Sequence, residues 1–160
     1  MHVITDSLLV GNIDDAKKLP SSIGGLLLVA GEYEINPPHG IAYARIPLKE
    51  FAEAAPHDME RAVAWLEWHI ASNRLIVCCR AGMGRSVSVV ITYLCCVKGM
   101  RYAEAVAFVK ARRPGATPLP NLEQTINEVQ RLRLPRDHKG QDQHKGHKAA
   151  RNPAKNQASR

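Results

Sequence analysis

The apolar runs of this chain have no polar face, and that leaves few folds open to it. Gly25–Ala30 reads GLLLVA and Arg74–Cys78 reads RLIVC. Neither alternates between apolar and polar positions, as a strand with one wet face must. Val87–Val97 is apolar around its whole circumference, the pattern of a helix enclosed by its neighbours. Strands buried on both faces need helices packed against the sheet, which points to an α/β fold with crossover connections.

The remaining stretches supply the other elements. Ser7–Val10 reads as an early strand closed by Gly11, and Asn12 with Asp15 predicts a capped short helix running to Leu19 before Pro20. Ile41–Leu48 reads as a strand reached through Pro37-Pro38. Asp58 is placed as the N-cap of a helix that carries Met59, Val63, Leu66 and Ile70 on one face. Gly99 stops the enclosed helix, Tyr102–Arg112 forms another that ends at Pro114-Gly115, and Asn121 with Gln124 resembles a capping box for a last helix. The order β-α-β-β-α-β followed by helices predicts a single domain. Its central, mostly parallel sheet is flanked by helices.

Charge sharpens the domain boundary. Positive and negative side chains cancel over residues 1–130, so the net charge of +7 resides in residues 131–160. From Leu134 onward apolar residues are almost absent, too few to repay ordering. The expected organisation is a folded domain over 1–134 and a basic, disordered tail over 135–160, at most an electrostatic arm for polyanions. No apolar run approaches the roughly 20 residues of a membrane span, and Met1–Val10 lacks the pattern of a signal peptide. The four cysteines form two adjacent pairs, Cys78-Cys79 and Cys95-Cys96, neither a disulfide framework nor a zinc spacing. A reducing, cytoplasmic setting is expected, and the sequence carries no signal for oligomeric state.

The chemistry concentrates in Val77-Cys78-Cys79-Arg80-Ala81-Gly82-Met83-Gly84-Arg85-Ser86. The stretch lies between a buried strand and a buried helix, where the sheets of α/β folds bind ligands. Two glycines let the backbone curl into an anion-binding nest, and the following helix adds its N-terminal N–H groups and dipole. These features describe a phosphate cradle. Cys79 places a thiol at its focus, in surroundings that favour the thiolate. Arg85 can fold back to grip two phosphate oxygens with its planar fork, and Ser86 can donate a hydrogen bond to the sulfur.

C-x5-R followed by Ser, with Gly82 third after Cys79, resembles the signature of the cysteine-dependent protein tyrosine phosphatase superfamily. Leu8-Leu9-Val10-Gly11-Asn12, Arg45-Ile46-Pro47-Leu48, Arg112-Arg113-Pro114 and Pro120-Asn121 are similar to the layout of its small dual-specificity branch, so the resemblance runs from about Val3 to about Leu132. It implies metal-free, cofactor-free hydrolysis of a phosphomonoester. Cys79 acts as nucleophile, and Arg80, Ala81, Gly82, Met83, Gly84 and Arg85 bind the phosphoryl group. Ser86 assists the thiolate, and a carboxylic acid protonates the leaving oxygen. Two positions depart from the family pattern: Cys78 stands where the family has His, and Glu50 stands where the acid is normally Asp. Glu53 and Asp58 are rival acids.

The expected partner is a phosphorylated substrate, with protein favoured because the loop carries one base besides Arg85. Lipid, nucleotide, RNA and sugar monoesters remain as alternatives. A phosphate-binding module without turnover is the other class of reading, supported by Cys78 and opposed by the intact set Cys79, Gly82, Arg85 and Ser86. Sulfur transfer and arsenate reduction fit less well, since the flanking pattern resembles neither and Cys95 and Cys96 fall in the helix core.

Overall fold

The strands pair out of chain order, and that ordering decides which loops meet. In the computed structural model, which describes residues 1–135, five strands form one sheet: β1 (His2–Thr5), β2 (Leu8–Gly11), β3 (Gly25–Ala30), β4 (Ala42–Leu48) and β5 (Leu75–Cys78). Their spatial order is β1-β2-β5-β3-β4. Every neighbouring pair is parallel except β1 with β2. β5 is thus central although it is last in sequence, with Cys78 level with Gly11 on one side and Leu28 on the other. The carboxyl ends of β2, β5, β3 and β4 share one edge, and the loops leaving them converge there.

Five helices complete the described residues: α1 (Ile13–Lys17), α2 (Pro56–His69), α3 (Arg85–Cys96), α4 (Tyr102–Arg112) and α5 (Leu122–Leu132). α3 packs on β2, β3 and β5 and is enclosed by α2, α4 and α5. Every residue from Arg85 to Cys95 is buried, which is why the sequence of this helix has no polar stripe. β3 is buried at all six positions, each of its leucines contributing about 1.5–3 kcal/mol of apolar burial. The expected α/β architecture with a mostly parallel sheet is the one observed. Among the described residues, no helix is long and apolar enough to cross a membrane.

Four local expectations need correction. The sequence reading left out β1, whose β-branched run Val3-Ile4-Thr5 turns at Asp6-Ser7 to pair antiparallel with β2. α1 has the expected capping box between Asn12 and Asp15, but it ends at Lys17 rather than Leu19. Asp58 is not an N-cap. α2 begins one turn earlier with Pro56, whose fixed φ and missing N–H suit a first helical position, and Asp58 sits in that first turn bonded to Arg61 at 3.2 Å. Asn121 does stand at the N-cap of α5, but in the left-handed region at φ 56, without a side-chain cap. Its amide instead donates to Glu53.

The end of α5 is fixed by Arg133, which reaches Glu60 at 3.1 Å and Glu67 at 2.7 Å, both on α2. Leu134 is exposed, and the predicted tail lies, from Arg136 onward, outside the described residues. We propose that the folded domain closes at Leu134. A chain truncated after that residue is expected to keep the melting temperature of the full chain in calorimetry. A fall of more than about 4 °C, equivalent to about 1 kcal/mol of lost packing, would put part of the tail in the fold.

Candidate active site

β5 runs directly into a tight loop, and the loop's backbone hydrogen bonds explain its shape. The Cys79 N–H donates to Gly11 O at 3.3 Å, carrying the ladder one residue past the strand. Beyond it, each carbonyl meets a donor from the surrounding structure. Ile13 N–H donates to Arg80 O at 3.2 Å, Thr117 N–H donates to Met83 O at 2.7 Å, and the Ser88 hydroxyl donates to Gly84 O at 2.7 Å. Ala81 O and Gly82 O accept from the Arg113 guanidinium. With the carbonyls drawn outward, the N–H groups of the same peptides face the other way. Among the described residues, no protein acceptor takes the N–H of Ala81, Gly82, Met83, Gly84 or Arg85. The loop is a nest of five free donors at the start of α3.

Gly82 makes the turn possible. It has φ +69, and a Cβ there would lie 2.8 Å from the backbone C and O of Gly11, so both the conformation and the close approach exclude a side chain. Gly84, by contrast, has φ −113 and would meet only ordinary contacts. Of the two loop glycines, Gly82 is the one the curl demands. The Cys79 Sγ stands 3.3 Å from the Ser86 Oγ, both buried. Cys78 points into the core, where burial pushes its thiol well above the ordinary range. Cys95 and Cys96 lie near the end of α3, their thiols raised to about 11 by burial.

Arg85 is 2% exposed, and its charge is met by a residue the sequence did not flag. Glu32, just past the end of β3, accepts from Nη1 at 2.6 Å and from Nη2 at 2.9 Å, while Nη1 also donates to Leu48 O at 3.2 Å. Of the five N–H groups of a guanidinium, three are thereby used. The Nε–H and one Nη2–H remain without a partner among the described residues. They lie along one edge and form a side-on fork suited to two oxygens of a phosphoryl group. Glu32 thus fixes the plane of Arg85 without consuming that fork. The clue in the sequence was positional: an acidic residue at the carboxyl end of a buried strand, where this sheet gathers its loops.

Cys79 and Arg85 lie in a cavity of ≈370 Å³ whose walls include Glu50, Phe51, Arg80, Ala81, Met83, Gly84, Pro118, Leu119 and Pro120. Of the three carboxylates weighed as acids, Glu50 alone lines it. Glu53 accepts from Asn121 and borders a separate depression, and Asp58 bonds Arg61. Glu50 accepts from the Arg80 Nη2 at 2.7 Å, so the one additional base of the loop is paired rather than free. Phe51, next to Glu50, adopts φ 60 and is 80% exposed at the rim. Met83 is partly exposed in the wall of the cavity.

The Glu32–Arg85 pair has a pH signature. Hydrogen bonds from Arg85 hold the Glu32 carboxyl at about 2. A folded-state value below the unfolded one stabilises the fold above the ordinary carboxylate range, and that stability is lost as pH falls toward 2. Glu32 is 41% exposed, so solvent screens part of the effect. In urea titrations, Glu32→Gln is expected to be less stable than wild type by a constant margin from pH 7 to about 5, with the two curves converging between about 4.5 and 2. A margin that persists to pH 2 would show that the pair does not act through its charge.

Comparison with known proteins agrees with this geometry. The family model for the dual specificity phosphatase catalytic domain matches residues 26–132. Dual specificity protein phosphatase 15 of Rattus norvegicus is 30% identical over 134 residues, covering 80% of this chain and 56% of that protein. Phosphatidylglycerophosphate phosphatase PTPMT2 of Arabidopsis thaliana is 29% identical over 144 residues, covering 82% of this chain and 63% of that protein. The chain therefore spans a little over half the length of these relatives. Among solved structures, human DUSP28 superposes with a TM-score of 0.73 at 23% identity, covering 82% of this chain and 96% of that one. At that identity the likeness speaks for the fold alone. The family model reaches from the second residue of β3 to the end of α5 and takes in the whole Cys79–Ser86 loop, so the chain belongs to the dual specificity phosphatase family.

Proposed function

We propose that this protein hydrolyses phosphomonoesters in two steps through a cysteinyl-phosphate on Cys79, with phosphorylated protein as its substrate. The observation that carries the reading is that the Cys79 sulfur and the unpaired edge of Arg85 share one cavity, walled by the loop whose peptides carry five unpaired N–H donors. In the first step the Cys79 thiolate attacks phosphorus, forming an S–P bond as the ester P–O bond breaks. Glu50 gives its proton to the leaving oxygen. The nest and Arg85 hold the three equatorial oxygens throughout. In the second step Glu50, now a carboxylate, takes a proton from water as that water attacks phosphorus. The S–P bond breaks and returns the thiolate, and the Ser86 hydroxyl, 3.3 Å from the sulfur, then turns its proton toward it.

Two features support a phosphoprotein. The walls contributed by Phe51, Met83, Pro118, Leu119 and Pro120 suit the ring of phosphotyrosine. The pairing of Arg80 with Glu50 leaves little free positive charge for a polyanionic headgroup. The second reading is a lipid phosphomonoester, favoured by the similarity to PTPMT2 and served by the same apolar walls. Turnover of a phosphotyrosine peptide set against phosphatidylglycerophosphate in detergent micelles separates the two. Binding of either by wild type without release of phosphate would instead make the protein a capture module.

Cys79→Ser is expected to abolish phosphate release while still binding a phosphotyrosine peptide in calorimetry, because the nest and Arg85 survive. Residual turnover above about 1% of wild type, far more than the loss of an essential nucleophile allows, would remove the covalent intermediate. Arg85→Lys should weaken binding and turnover together, since an ammonium offers no fork.

The acid is tested by leaving group. Phosphotyrosine expels a phenol with a pKa of about 10, so its cleavage needs a proton. A nitrophenol leaves readily as the anion. Glu50→Gln is expected to slow phosphotyrosine hydrolysis by about 10²–10⁴ and nitrophenyl phosphate hydrolysis much less, with Glu53→Gln and Asp58→Asn nearly silent on both. The leaving-group dependence appearing in either of those variants instead would move the role there.

A further inference from the structure

A nest of N–H donors is only as rigid as the carbonyls behind it. The N–H and C=O on either side of a peptide bond point in opposite directions, so tying the carbonyl of one residue outward aims the N–H of the next residue inward. Three of the five loop carbonyls are tied locally or by main chain: Arg80 O to Ile13 N–H, Met83 O to Thr117 N–H, and Gly84 O to Ser88 of α3. The other two, Ala81 O and Gly82 O, are tied by one distant side chain. Arg113 donates from Nε to Gly82 O at 3.0 Å and from Nη2 to Ala81 O at 3.4 Å, while its Nη1 donates to Pro114 O at 2.6 Å.

Those two peptides are the ones most in need of an external tie. They flank or adjoin Gly82, whose φ of +69 lies in a region that glycine enters and leaves freely. A flip of either peptide would replace an inward N–H, that of Gly82 or Met83, with an inward carbonyl oxygen. That oxygen would repel the phosphoryl group where a donor should hold it. We infer that Arg113 is a positioning residue of the site. From behind the loop, and without touching substrate, it locks the Ala81–Gly82 and Gly82–Met83 peptides in the phosphate-binding orientation. An arginine suits the task because Nε and Nη2 lie along one edge and can take two consecutive carbonyls, which a lysine ammonium cannot match in fixed geometry. Its neighbour Arg112 does something else: its guanidinium lies 3.4 Å from the centre of the Phe108 ring and donates to Phe108 O.

The inference rests on the phosphatase reading for its kinetic readout, so the test also has a readout independent of turnover. In the full-length protein, Arg113→Ala, Arg113→Lys and Arg112→Ala are compared with wild type for aryl phosphate turnover, for inorganic phosphate affinity by calorimetry, and for melting temperature. Outright removal of one oxyanion donor costs about 10²–10³ in rate. A loop that flips part of the time is expected to lose about 10–100-fold in kcat/KM in both Arg113 variants, with a parallel weakening of phosphate binding. Arg112→Ala should match wild type. Millimolar methylguanidinium should restore part of the loss in Arg113→Ala and none in Cys79→Ser.

Arg113 variants within twofold of wild type in both turnover and phosphate affinity would overturn the assignment. So would equal losses in Arg112→Ala, or a loss that follows the fall in melting temperature and resists methylguanidinium. If Arg113→Ala does not fold, Arg113→Lys decides by the same measures. If wild type turns over no phosphomonoester, the phosphatase reading falls and phosphate affinity alone decides the role of Arg113.

Discussion

Five amide N–H groups aimed at one point repel one another, and a backbone does not hold them there unaided. The arrangement persists because the outward-facing carbonyls are each met by a donor. Those donors come from the start of α1, from the first turns of α3 and from the segment between α4 and α5. The elements around β5 therefore do more than cover a sheet. Gly11 lies close enough to leave no room for a side chain on Gly82, and the Ser88 hydroxyl that donates to Gly84 O also accepts from the Leu119 N–H at 2.9 Å. One buried serine thus links the loop to the cavity wall at Leu119.

What could be read from the sequence is what short stretches specify by themselves. The enclosed helix, the buried strands β3 and β5, and the cradle at Cys79–Ser86 each lie within a dozen residues, so periodicity and glycine placement sufficed. Glu32 and Arg113 act on the loop from 53 and 31 residues away, and local patterning carries no record of such pairings. The errors at Asp58 and Asn121 have a related origin. Both residues are good caps by type, but Pro56 had already started α2, and Glu53 claims the Asn121 amide. β1 was missed because four residues with mixed exposure give too short a pattern, and only pairing with β2 defines it.

The segment after β4 shows the same dependence on distant partners. Arg85 ties the last carbonyl of β4, Leu48 O, Arg80 ties Glu50 just beyond it, and Glu53 is tied to the start of α5. Between them Phe51 holds a left-handed conformation that costs a bulky residue of order 1–3 kcal/mol. The flanking ties hold the chain in that path and leave an aromatic ring at the mouth of the cavity.

The position of β5 bears on how such a chain can be made. β2 and β3 never meet; each waits for the strand that separates them, and that strand leaves the ribosome well after both. Until Leu75–Cys78 appears, a growing chain holds leucine-rich strands with open inner edges, the kind of surface that pairs with the wrong neighbour. The strand that closes this gap is the one that carries Cys79 at its end. Closure of the sheet thus begins the cradle, and the arrival of Arg113 and Thr117 behind the loop completes it, so a half-finished or half-unfolded molecule has no site at all.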